Sequence, residues 1–494
     1  MIRGRITIQE HVMASRYANK VLSFVVVAIA AFLIVPATTF AQGGPGGGGG
    51  GAAGGGGAAG GAAGNFGGGD VFLGVVGGVS VDVQRIVRGE YQSLPDQMKQ
   101  RINNALAAGD SDIAKSSDLR VISLRGLEAA ISKSMDSGEP LSAEVQYLAG
   151  LQRVEYVIVS PEKDDVFIAG PGEGWKANAD GIVVGVESGM PVVHLQDLLV
   201  AMRSVDTART GKGISVSIDP SAEGVRNLNA LTNKLIAEKR SFHPSMKPHF
   251  EKAFGPQNVS LTGVPRDSHY SRVLLAADYK MKRLAMGLEA SPLRKLPSMM
   301  ETIGKKRMNI SRAAPRMWME CNYEPVAKDE EASVWHISGQ GVRTQTEESL
   351  FDADGNAHQT GKKLKVAEDW ANKMTTNFEE LSKKELVFRD LRNVMDLSVI
   401  AAIIRNEDLL TKVGLELPMI AGDSLNTPTY EIPETIPSEL SFVNTGRSYV
   451  TQVSGGVLIN SWGVAQNAVV DSGMNEVAAV AAVKSADRWW WNSN

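Results

Sequence analysis

Two periods of hydrophobicity alternate along the chain. Apolar residues recur at helical spacing over 95–108, 124–135, 142–151, 194–204, 221–239, 364–381 and 385–411. Short β-prone runs fall between them, at 71–83, 154–159, 166–169, 182–186, 214–218, 316–323, 333–338 and 342–346. Residues 160–165 (Ser-Pro-Glu-Lys-Asp-Asp) separate two such runs and predict a hairpin. Ser142 is a ready N-cap, and Asp219-Pro220 predicts a helix start with proline at its first position. Residues 352–356 look superficially like a calcium loop, but the glycine comes too early for an EF-hand, so a hairpin turn is expected. Gly455-Gly456 predicts another turn, between strands at 449–453 and 457–459. The pattern is that of a mixed α+β fold: strands and helices alternate in the first half, and hairpins with two long helices make up the second. A change of composition after Pro292 and the basic run Lys305-Lys306-Arg307 divide it into a mixed α/β domain at 70–300 and an α+β domain at 301–494. No fixed-period repeat points to a solenoid or propeller.

The stretch 263–289 combines helical periodicity with the densest mixture of acid, base and histidine. Asp267 is placed to cap it after Pro265, and Tyr270, Val273, Leu274, Ala277, Met281, Leu284 and Leu288 fall on one face. At 100° per residue, Asp267, Ser271, Asp278, Lys282 and Glu289 line one flank of that face, while His269, Arg272, Lys280 and Arg283 form a basic side. Asp278 and Lys282 are an i, i+4 pair in the favoured order. One reading is a packed amphipathic helix with ion pairs at its boundary. The other is a polar stripe facing a cleft, with Asp278 partly desolvated and able to act as acid or base. The catalytic candidates are Asp267, His269, Asp278, Lys282 and Glu289, with Asp278 and its flank ahead of the Asp-Ser-His triplet.

Familiar site motifs are incomplete. Gly422-Asp423-Ser424-Leu425 spells an esterase nucleophile block, but no histidine follows His358 to serve as that family's base. Residues 170–175 and 211–213 are glycine-rich without phosphate-loop spacing. No HExxH, paired CxxC or i, i+4 histidine pair occurs, so zinc is open only to residues distant in sequence. No cofactor and no metal site is predicted.

Composition changes the picture chiefly at the N-terminus. A basic region, a 15-residue apolar run at 21–35 and small residues before Gln42 read as a secretory signal over 1–41. The run is short of the ~20 residues a membrane-spanning helix needs. Its removal takes the net charge from −4 to −7, which gives no electrostatic footprint for nucleic acid. Residues 42–69 form a Gly/Ala-rich linker, 18 of the 27 positions at 43–69 being glycine, expected to be disordered and to reach ~30 Å as a coil. The single cysteine, Cys321, excludes an intrachain disulfide and reads as a small buried residue. No cysteine stands at the signal cleavage site to carry a lipid anchor, and no later apolar stretch approaches a membrane span.

The segments Gly263 to Ser268, Ala277 to Lys282 and Gly287 to Glu289 resemble those of an uncharacterised family of exported planctomycete proteins, a domain of unknown function. Residues 218–220, 170–171 and 390–404 fit as well, so the resemblance extends over roughly 70–490. It implies export and coverage but carries no activity. The expected product is exported, to the periplasm, the cell surface or beyond. Two roles stand open: a non-catalytic protein that binds or assembles with an envelope or extracellular protein or glycan, and a hydrolase using the acid and base groups of 267–289. The oligomeric state is not legible.

Overall fold

Five serines set where helices begin. Ser123, Ser142, Ser221, Ser268 and Ser298 lie in extended backbone, and each hydroxyl accepts the N–H three residues on. This corrects two expected starts. Ser268, not Asp267, caps the central helix. Pro220 ends a strand rather than opening a helix, because Ser221 supplies the cap. The computed structural model describes Gln100, Asn103 and residues 112–493, leaving out 211–212, 241–242, 309–313, 353, 431, 445–447, 452 and 475–487. The signal at 1–41, the linker at 42–69, the β-prone run at 71–83 and nearly all of the helix expected at 95–108 lie outside the described residues.

Along the chain, β1 (Ser117–Ser123) leads into α1 (Leu124–Ser137), and β2 (Tyr156–Ser160) and β3 (Asp165–Gly172) form the expected antiparallel hairpin. A small hairpin, β4 (Trp175–Ala177) and β5 (Val183–Gly185), precedes α2 (Leu195–Thr210). Then come β6 (Ile214–Pro220), α3 (Ala222–Ala237), α4 (Lys247–Phe254), β7 (Gln257–Thr262), α5 (His269–Met286) and α6 (Met299–Lys306). The second half contributes β8 (Ala314–Asn322), β9 (Val326–Lys328), β10 (Val334–His336), β11 (Gly341–Phe351) and β12 (Ala357–Gln359). After α7 (Lys365–Thr376) and α8 (Val387–Asn406) come β13 (Thr435–Ile436), β14 (Ser441–Asn444), β15 (Ser448–Thr451), β16 (Ser454–Ile459), β17 (Ala468–Val470) and β18 (Trp490–Ser493).

These elements form a mixed α+β fold with two seven-stranded sheets, ordered β17-β9-β10-β2-β3-β1-β18 and β12-β11-β8-β16-β6-β7-β13. Both sheets take strands from either side of residue 300. Pairing is antiparallel except where β16 runs alongside β8 and β17 alongside β9. The aromatic C-terminal end is part of the first sheet: β18 pairs with β1, and Trp490 and Trp491 are buried.

α8 contacts β2 of one sheet and β11 of the other, and also packs on α2 and α5. That position explains why 16 of its 20 residues are buried, among them the polar or charged Arg389, Arg392, Asn393, Asp396 and Ser398. The long helix expected at 364–381 ends at Thr376, with a short second helix from Phe378, and that expected at 385–411 ends at Asn406. Gly455-Gly456 is not a turn but lies inside β16. A Cβ would sit 1.9 Å from the Met317 carbonyl oxygen at Gly455 and 1.6 Å from that of Val216 at Gly456, so close strand approach demands glycine. Asp352, Gly355 and Asn356 do make the hydrogen bonds of a turn between β11 and β12. Cys321 is half-buried, its thiol pushed up to about 12 by burial, which leaves no reactive thiolate. Among the described residues no helix is long and apolar enough to cross a membrane.

Candidate metal centre

The polar residues of interest sit where three packed helices begin. α2, α5 and α8 touch one another. Buried Val192 and Val193 bring the chain to His194, whose carbonyl accepts the N–H groups of Asp197 and Leu198 in the first turn of α2. His269 is the first residue of α5, directly after its serine cap. Asp390 lies in the first turn of α8. Helix starts favour negative charge, which suits both carboxylates.

Asp197 is buried and its two oxygens lie 2.9 and 3.1 Å from His269 Nδ1. The His194 ring stacks on the His269 ring, centroids 4.8 Å apart and planes 11° from parallel. His194 Nδ1 is 3.3 Å from the Gln196 amide nitrogen, and Gln196 Oε1 accepts from the Tyr430 hydroxyl at 3.1 Å. Tyr147 meets the edge of His194, Tyr430 meets that of His269, and the Arg272 guanidinium lies over Tyr430. Among the described residues, Nε2 of neither histidine makes a hydrogen bond, and the Asp390 carboxylate has no hydrogen-bond or ion-pair partner.

Their electrostatics diverge. Burial, helped by the neighbouring His269, pulls His194 down to about 4, so it is neutral at pH 7. Burial also opposes the charge on His269, but the Asp197 charge and hydrogen bond, with Asp390 adding, outweigh it and leave His269 raised. Burial pushes the Asp390 carboxyl up to about 7, Asp197 adding to the rise while His269 and Arg272 oppose it. Neighbouring groups with values driven apart are the pattern of a working site. One ligating atom from each of His194, Asp197 and His269 lies within 4.8 Å of the others, the one such His, Cys or carboxylate group among the described residues.

The residues picked from sequence scatter. His269 joins this cluster. Asp267 is exposed, and its carbonyl accepts the Tyr430 N–H at 2.7 Å. Asp278 is fully buried: one oxygen takes a bond from Lys282 Nζ at 2.9 Å and the other has no partner. Lys282 spends its remaining bonds on the Ile218 and Gly455 carbonyls, 3.0 and 2.7 Å away, tying α5 to β6 and β16. Glu289 accepts from Lys280 at 2.6 Å and Arg283 at 3.3 Å. It also borders a cleft of about 890 Å3 near the end of α5, lined in part by Ser291, Arg294, Lys305 and Phe442. No member of the histidine cluster lines that cleft.

Against known proteins, one family model matches. Residues 216–299 match the model of a domain of unknown function, DUF1598. No curated protein and no solved structure matches the chain. The DUF1598 segment runs from β6 to the first residue of α6 and so includes His269, Asp278, Lys282 and Glu289. His194, Asp197, Asp390 and Tyr430 lie outside it. The match is narrower than the 70–490 expected from the resemblance and speaks to neither export nor origin. Sequence reasoning missed Asp197 and His194 although the helix at 194–204 was legible. Their only local signal was a histidine and an acid three residues apart at a helix start.

Proposed function

We propose that this is an exported binding protein whose ligand is taken up at His194, Asp197 and His269. The observation that carries this reading is the gathering of three donor groups from the starts of two helices, with both histidines partly exposed and, among the described residues, each leaving a ring nitrogen unused. Export is supported by the leader at 1–41, and the Gly/Ala linker would hold the body away from its attachment or exit point. A second reading rests on the His269–Asp197 hydrogen bond: a carboxylate that orients a histidine and stabilises the imidazolium formed when the ring takes a proton is the arrangement of a general base, which would make the centre hydrolytic.

Thermal unfolding of the full chain and of His269→Gln, across panels of cations, anions, amino acids and sugars, tests the binding reading. A ligand at ~100 times its dissociation constant stabilises by ~2.7 kcal/mol. A rise in melting temperature lost in the variant supports the reading, and an equal rise in both moves the site elsewhere. Turnover of chromogenic esters or phosphates, abolished in His269→Gln, would favour the hydrolytic reading instead. Fractionation of cells expressing the chain with and without 1–41 tests export.

A further inference from the structure

We infer that the ligand is a divalent transition-metal ion, held by His194, Asp197 and His269. The inference rests on the binding reading above and names its ligand. The donor set is two imidazoles and one carboxylate, the mixture that suits zinc, and nickel or copper where geometry permits, rather than calcium or magnesium, which want oxygen. Two ligands on a tetrahedral zinc, each bonded at ~2.0–2.1 Å, lie ~3.3 Å apart. His269 Nδ1 and the Asp197 oxygens, at 2.9 and 3.1 Å, already approach that spacing. An ion would replace the proton now shared between them.

The third donor must move. Rings only 11° from parallel send their lone pairs side by side rather than to one point. His194 must therefore turn out of the stack and bring its nitrogen in from the 4.8 Å limit of the present cluster. Its position permits this: it lies in the connection before α2, the residue is partly exposed, and its one side-chain hydrogen bond among the described residues, to Gln196, is long at 3.3 Å. Three protein ligands leave the fourth position open, as in sites that exchange water or substrate.

The test uses the untagged full chain. Zinc is titrated calorimetrically, and cobalt(II) is added while its visible absorption is followed as a report on coordination. The expected result is one equivalent of either ion, with the absorption of a four- or five-coordinate nitrogen and oxygen site. His194→Gln, Asp197→Asn and His269→Gln should each weaken binding by more than the ~10–100-fold that loss of an outer-shell partner costs. Glu289→Gln should not. Circular dichroism without metal checks that each variant is folded, and the cobalt spectrum of the unmodified chain stands independently of any variant. Absence of binding by the unmodified chain overturns the inference, as does binding unchanged in all three variants. If a non-metal ligand raises the melting temperature through His269 while neither ion binds, the metal inference falls and the binding reading stands. If nothing binds at His269, both fall.

Discussion

The middle and the start of α5 use the same kinds of residue to opposite effect. In its middle, Asp278 and Lys282 are sealed in the core, the ammonium satisfied by one carboxylate and two strand carbonyls. At its first residue, His269 meets a carboxylate from another helix, stacks on a second histidine and keeps a nitrogen unused. Both places hold a carboxyl pushed up to about 7 by burial, Asp278 in one and Asp390 in the other. Displaced protonation therefore does not by itself mark a site. What separates the two is closure: the middle pair is buried, whereas at the helix start the His269 side chain is 19 % exposed and, among the described residues, its polar groups are underused.

The largest effect should come from breaking the closed pair. Lys282→Met leaves the Asp278 charge buried without a partner and should cost ~3–5 kcal/mol in urea unfolding at pH 8. Replacing both, Asp278→Leu with Lys282→Met, should recover most of that loss, because apolar substitutes for a buried pair are often neutral. A double variant as unstable as the single one would show that the pair positions strands β6 and β16 in a way packing cannot replace. Neither change should alter metal binding if the middle and the start of α5 are independent.

Next in size are the pH effects. Asp390 has a folded value of about 7 against an ordinary 3.8, so the fold holds its proton more tightly than the unfolded chain. The stability this contributes is fully present below about pH 4 and is lost as pH rises through 7. Asp390→Asn should remove that loss. At pH 8 it should stabilise the metal-free protein by ~1–2 kcal/mol, less than the full linkage value because the group is half-exposed. At pH 4 it should be nearly neutral. Unfolding across pH 4–8 checks this, and a flat difference between variant and parent would mean Asp390 is solvated. At the same end of the helix, Asp197→Asn removes the charge that holds His269 above its ordinary value. The His269 titration followed by NMR should then fall. The stability that a raised histidine contributes is present below pH 6.5 and lost above its folded value, so the variant should be weakest relative to parent in acid.

How much of this was legible in the sequence follows from the range of the forces involved. The 160–165 hairpin, α5 and the Asp278–Lys282 pair depend on residues close in the chain, and each is where the pattern places it. Cap assignments slipped by one or two residues because several capping types stood in a row and only backbone geometry selects among them. Gly455-Gly456 misled for a different reason. Glycine serves a turn and a close strand contact equally well, and the neighbours Val216 and Met317 are more than a hundred residues away. The histidine cluster was hidden in the same manner: His269 and Asp197 are 72 residues apart, and only the packing of α2 on α5 unites them. Angular analysis of α5 alone put Asp278 first, since a helical wheel distinguishes faces but not closed surroundings from open ones.

The smallest expected effect tests the separation of the helix start from the rest of α5. Glu289 was a candidate because it shares the Asp278 flank, yet it only receives Lys280 and Arg283 just beyond the helix. Lys280 has Glu385 as a second carboxylate at 3.1 Å, and Arg283 has Glu439 at 2.7 Å, so neither cation is left unpaired when Glu289 is neutralised. Glu289→Gln should therefore cost no more than ~1 kcal/mol, the range of partly exposed ion pairs, and should diminish in salt. Urea unfolding at low and high salt measures it. A loss of several kcal/mol, or a change in metal affinity, would mean the far end of α5 communicates with His269, and the separation of the helix start from the rest of α5 would have to be abandoned.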